Sequence, residues 1–154
     1  MATQRDTPYG SFNFLVGFGL SGWDPNSVNA GFQEVSGINI EVTSADYRAG
    51  NSKANHPIKV NGVTKFGDVT FKRGLIGGMD LYAWIDAIRT GDRSQIIPTV
   101  TVSLQDEAHD GPVFTWKLLN ARPIKYTAPS LNAKTGTDVA IEELVLSIEE
   151  LDIE

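Results

Sequence analysis

Cysteine is absent from the 154-residue chain, which removes disulfides, thiolate nucleophiles, zinc ribbons and iron–sulfur clusters together. Histidine is almost absent: His56 and His109 stand far apart with no second imidazole near either, so a metal site is not expected. Cations are scarce, 13 Lys plus Arg against 19 Asp plus Glu for a net charge of −6. A non-specific nucleic-acid grip needs clustered cations to displace counterions, and this chain has no such stripe. The first ten residues, Met1 to Gly10, hold no apolar run, so no secretory signal or membrane insertion is expected and folding is placed in the cytoplasm. The 15 Gly and 7 Pro are scattered along the chain. With no linker, repeat or low-complexity tract, residues 1–154 read as one domain with a core of its own.

What is present is mostly short and alternating, the period of two that a half-buried sheet requires. Phe12 to Val16 opens the series, followed by Phe32 to Val35 and, across a kink at Ser36-Gly37, Ile38 to Thr43. Val69 to Arg73, Val100 to Leu104, Val113 to Leu119 and Ile124 to Thr127 continue it, with Gly, Pro, Asn and Asp at the breaks. One segment has helical spacing: Leu81, Trp84, Ile85 and Ile88 fall at i, i+3, i+4 and i+7. Asp80 is placed to cap its start and Gly91 to stop its end, so residues 80–90 are read as a single helix laid on the sheet by that stripe. The carboxyl segment satisfies both patterns. Ile141, Leu144, Val145, Ile148 and Leu151 have helical spacing, whereas Leu144, Leu146 and Ile148 alternate and much of the segment is β-branched.

Charge is unevenly distributed. Residues 76–154 carry six cations and thirteen carboxylates, six of the latter between Glu142 and Glu154. Residues 46–64 have little to bury and contain Arg48, Lys53 and Lys59; they read as a long basic inter-strand loop, of the kind that is usually either functional or disordered.

Candidate chemistry is thin. Gly17-Phe18-Gly19-Leu20-Ser21-Gly22 matches the dinucleotide fingerprint in letters, but Trp23-Asp24-Pro25-Asn26 follows where a helix must begin. Asp106, Glu107, His109 and Asp110 have the composition of a hairpin turn and not of an acid–base pair. Trp84 and Trp116 belong to apolar patterns, which leaves Trp23 as an exposed aromatic for a carbohydrate- or protein-binding β-sandwich module. No catalytic, cofactor or metal site emerges, and no enzyme is expected.

The ordered set Phe12–Val16, Gly31–Ile38, Tyr47–Asn51, Thr64–Gly74, the helix with Leu81, Trp84 and Ile85, Trp116–Tyr126 and Ala140–Leu146 resembles the tail tube proteins of contractile phages and extracellular contractile injection systems. These are related in architecture to the type VI secretion tube protein. The resemblance runs from about residue 9 to 151, with residues 18–29 as an extension of the first hairpin. It implies a mainly β protein, an antiparallel barrel or sandwich with one packed helix, whose protomers join into a continuous ring barrel. Implied partners are five further copies in a hexameric ring that stacks into a tube, a sheath protein, baseplate and terminal cap proteins, and cargo effector or DNA in the bore. The particle would assemble in the cytoplasm and then serve as a phage tail or be released. The resemblance also makes Val139 to Glu149 the last strand. On this reading Arg48, Lys53 and Lys59 face an adjacent protomer or ring, and their partner across the contact is the acidic carboxyl strand. Asn39, Glu41, Thr43, Thr70, Lys72 and Lys117 are nominated for the hydrated wall of the bore.

Overall fold

A computed structural model describes residues 4–19, 26, 30–91 and 97–154, with the side chains of 97 and 98 excluded. Among the described residues, nine strands and one helix run in the order β1 (Phe14–Gly17), β2 (Phe32–Ser36), β3 (Ile40–Tyr47), β4 (Ile58–Phe66), β5 (Val69–Gly74), α1 (Asp80–Arg89), β6 (Ile97–Gln105), β7 (Pro112–Thr127), β8 (Ile141–Ser147) and β9 (Glu150–Ile153). All pairings are antiparallel. The main sheet has the order β1-β6-β7-β8-β5-β2, with β9 also on β7.

β7 serves two halves of that sheet. Its Trp116–Leu119 stretch pairs with β9 and with β6, and its Arg122–Thr127 stretch pairs with β8. Between them Asn120 has φ +53°, a left-handed conformation that Asn tolerates better than most residues. The Asn120 side chain donates to Glu149 at 2.9 Å, and the Glu149 backbone N–H donates to Leu119 at 3.1 Å. A register shift follows between Pro123 and Lys125, the kind of place where a sheet accepts proline. The chain thus turns a corner, and the inner faces of the two halves close on one core. Val16, Phe18, Val69, Phe71, Val100, Leu118, Leu144 and Leu146 have no solvent exposure there. Phe18, Phe32 and Phe71 meet edge to face at centroid distances of 5.4–5.6 Å, a favoured aromatic geometry.

The helix lies where its stripe predicts. Leu81 and Trp84 are buried, Ile88 packs at the margin of the core and Ile85 is half-buried. Gly91 has φ +97° and its N–H donates to Ile88 at 3.1 Å, a left-handed stop just past the last turn. The start differs from expectation. Met79 occupies the cap position with no side-chain bond, and Asp80 lies inside the first turn, where it is held by Arg73.

Three boundaries also move. Residues 46–64 are not a loop throughout: 46–47 complete β3, 58–64 belong to β4, and only 48–57 connect them. The carboxyl segment is strand, but it is two strands, with β9 following β8 after a short break. The first strand begins at Phe14 and leaves Phe12 70% exposed. Leu20 to Pro25, which complete the glycine-rich motif and include Trp23, lie outside the described residues.

Candidate assembly interface

β3 and β4 form a two-stranded sheet that, among the described residues, pairs with no other strand. Nearly every residue in it is exposed, and an isolated ribbon of two strands is at best marginally stable in water. Yet it presents Ile40, Val42, Tyr47, Ile58, Val60 and Val63, each 49–71% exposed. The register explains their arrangement. Ile40 pairs with Phe66 and Val42 with Thr64 on one face, whereas Ala45 pairs with Val60 and Tyr47 with Ile58 on the other. A register shift between Val42 and Ser44 separates the two sets. The apolar side is therefore one face near the root and the opposite face near the tip.

Two of the three nominated cations have partners inside the chain. Arg48 donates to the carbonyls of Ala54 (3.1 Å) and Ser52 (3.3 Å), bracing the 48–57 loop, and Lys59 pairs with Asp46 across the ribbon at 3.1 Å. Lys53 is exposed on the same loop. All three sit at the distal end of the ribbon. The acidic carboxyl segment is a less available counterpart than its sequence suggests, because Glu142 is 1% exposed.

The six nominated bore residues fall in three places. Asn39 caps the ribbon root, its side-chain N–H donating to the Gly37 carbonyl at 3.2 Å, and Glu41 and Thr43 share one ribbon face. Thr70 and Lys72 lie on the outer face of β5, alternating with buried Val69, Phe71 and Arg73. Glu34 and Glu143 are register neighbours of Lys72 on that face, and the Lys72–Glu34 ion pair spans 3.3 Å. Lys117 lies on the outer face of the other half-sheet, bonded to the Glu154 carboxylate and in register with Thr101 and Asp152. Ser103 and Thr115 add a hydroxyl pair there at 3.3 Å. Thr70 with Lys72 and Lys117 thus lie on the outward faces of two different half-sheets, on either side of the corner in β7.

Sequence reasoning missed the most constrained polar cluster. Arg73, 1% exposed, binds Glu142 through Nε at 2.8 Å and Nη2 at 2.5 Å, and forks onto Asp80 at 3.0 and 2.8 Å. Burial works against the Arg73 charge, and the Asp80 and Glu142 hydrogen bonds outweigh it, raising its pKa. The Tyr126 hydroxyl donates to the other Glu142 oxygen at 2.7 Å. Burial and that bond push the Tyr126 phenol up to about 12. This cluster ties β5, β7, β8 and the helix start together. A visible signal existed: Arg73 and Glu142 each occupy an inward position in an alternating strand.

At the amino-terminal end, Arg5 stacks on Tyr9 at 3.8 Å and binds Glu107 at 2.9 Å. The Glu107 carboxyl is held down to about 2, chiefly by the Arg5 hydrogen bond. His109 has φ +59° in the adjoining turn and its N–H donates to Asp106 at 3.3 Å, a loop geometry and not a catalytic one. Among the described residues no group of three or more potential metal-ligating side chains is gathered, and no helix is long and apolar enough to cross a membrane.

This combination, a sandwich and an exposed apolar two-stranded arm, suits a component of a larger array, and comparison with known proteins agrees. The family model for T4-like virus tail tube protein gp19 matches residues 10–152. The chain belongs to the tail tube protein family. A chain from the sheath/tube terminator of an extracellular contractile injection system, PVC, in the extended state is 26% identical with a TM-score of 0.81, covering 97% of this chain and 98% of that one. One from the PVC sheath–tube complex is 26% identical with a TM-score of 0.79, covering 97% and 93%. One from the tube-terminating cap of the anti-feeding prophage is 25% identical with a TM-score of 0.78, covering 100% and 94%. A search of the curated proteins found no match. This tail tube protein is a structural component and not an enzyme, and nothing supports the carbohydrate-binding alternative, whose Trp23 lies outside the described residues.

Proposed function

We propose that this tail tube protein is the repeating subunit of the inner tube of a contractile injection machine or phage tail. Six copies close into a ring, rings stack, and the bore carries an effector or DNA. The sheath, baseplate and terminal cap proteins are its partners. Assembly takes place in the cytoplasm, before the particle is used or released. The β3–β4 ribbon carries this reading, since its own chain leaves six large apolar side chains on it open to water. Burying such a patch on another copy recovers roughly 25 cal/mol per Å² of apolar area. Among the described residues β1 and β2 end the strand order of the main sheet, and ring closure is a way to remove edges that otherwise invite uncontrolled pairing. One of the two outward sheet faces, that of Thr70 and Lys72 or that of Lys117, forms the wall of the bore.

Reversing the distal cations together (Arg48→Glu, Lys53→Glu, Lys59→Glu) tests the contact. The variant keeps the wild-type circular dichroism spectrum and fails to form rings or tubes under negative-stain microscopy. Tubes of normal appearance from the variant would remove these cations from the interface.

A further inference from the structure

A groove of about 490 Å³ opens between the edge strands β1 and β2, floored by Phe14, Val35, Ile38, Val102, Leu104 and Trp116. Its mouth is polar, with Ser11, Glu34 and Ser36 at the rim. Just past Leu104 the chain enters the acidic turn that holds Asp106, Glu107 and Asp110. Among the described residues the same molecule offers one element with the complementary character. The tip of the β3–β4 ribbon carries Ala45, Tyr47, Ile58 and Val60 on one face, and residues 40–66 contain four cations against two carboxylates in a chain that is otherwise acidic.

We propose that this groove receives the ribbon tip of a second copy of the chain. Tyr47, Ile58 and Val60 fill the apolar floor, and Lys53, exposed on the tip loop, meets Glu34 at the rim, where Lys72 of the same chain as Glu34 pairs with that carboxylate. Reach is consistent with this. β3 has 8 residues, and at about 3.3 Å per residue such a strand extends roughly 26 Å, about the diameter of a small domain. Direction follows from connectivity. Val35, Ser36 and Ile38 in the groove lead straight into β3, so the groove lies at the root of its own ribbon and the tip points away from it. A tip seated at the root of the next ribbon is a head-to-tail contact, which propagates and closes when the rotation permits. The apolar face that changes sides along the ribbon gains a use. The root set, Ile40 and Val42, is left for a different surface from the one the tip enters.

This inference rests on the tube-subunit reading and names the receptor for its arm. The cysteine-free chain allows a direct test. Two single variants, Ile58→Cys on the tip and Ser36→Cys at the groove, are co-assembled, treated with a short bismaleimide and read on a denaturing gel, with particles checked by microscopy. A crosslinked dimer from the mixture, and little from either variant alone, is the expected result. Assembled rings or tubes without that dimer overturn the groove as receptor while leaving the tube reading intact. A double variant that crosslinks only within one chain also overturns it, because the ribbon then folds back on its own groove. No assembled particle from the wild-type chain counts against the tube reading itself.

Discussion

At the scale of single residues the decisive feature is that Arg73 and Glu142 are buried while the ribbon's valines and isoleucines are not. A buried guanidinium with two carboxylates is a weak stabiliser overall, but removing one member leaves an uncompensated charge behind. Arg73→Met is therefore expected to cost about 3–5 kcal/mol, read from the urea midpoint. Tyr126 provides a pH test. Its phenol titrates near 12 in the fold against about 10 for a free side chain, burial being the first cause and the Glu142 bond the second. The fold favours the protonated form, so this contribution is fully present below about pH 10 and is lost as pH rises toward about 12. Tyr126→Phe is expected to lower stability below pH 10 by about 1–3 kcal/mol, since Glu142 loses a partner. Its stability then falls less steeply than that of the wild type above that pH. Parallel pH profiles of the two proteins would contradict the assignment.

Among the elements, the sheet strands and the helix were legible because their periodicity is that of one buried face, and the family resemblance chose strand for β8 where periodicity did not. The β3–β4 ribbon was legible only in its first half. β4 has no buried face, so its Ile58, Val60 and Val63 look like stray apolar residues in a polar loop, and tertiary pairing alone makes them a strand. Asp80 was misplaced because a capping signal and an ion-pair partner are the same residue type, and Arg73, seven positions earlier, claims it. The kink at Ser36-Gly37 was correctly placed. Gly37 has φ +90°, and a Cβ there would stand 2.4 Å from the Asp68 carbonyl oxygen. It is the joint where the chain leaves the main sheet for the ribbon. Gly37→Ala is expected to destabilise by about 1–3 kcal/mol through backbone strain, before the clash is added, measured by thermal unfolding. An unchanged midpoint would mean that the joint is not fixed as described.

On the scale of the whole molecule, two outward faces compete for the bore, and labelling separates them. Single cysteines at Thr70 or Lys72, and at Lys117, report on the two outward faces in assembled tubes. The account predicts that one set is shielded from a bulky maleimide that reaches the bore only through the tube ends, while the other reacts freely. Equal reactivity would remove both from the wall. Surface ion pairs around the ribbon weaken with salt, so raised ionic strength is expected to shift the balance from tubes toward free subunits. Apolar seating of the ribbon would resist that shift in part. The most direct test of the central claim is sedimentation velocity of the purified 154-residue chain across a wide concentration range, with negative-stain images of the same samples. The account predicts a concentration-dependent conversion of monomer into rings and tubes of one diameter. A single monomeric boundary at every concentration, with no ring in any image, would contradict it.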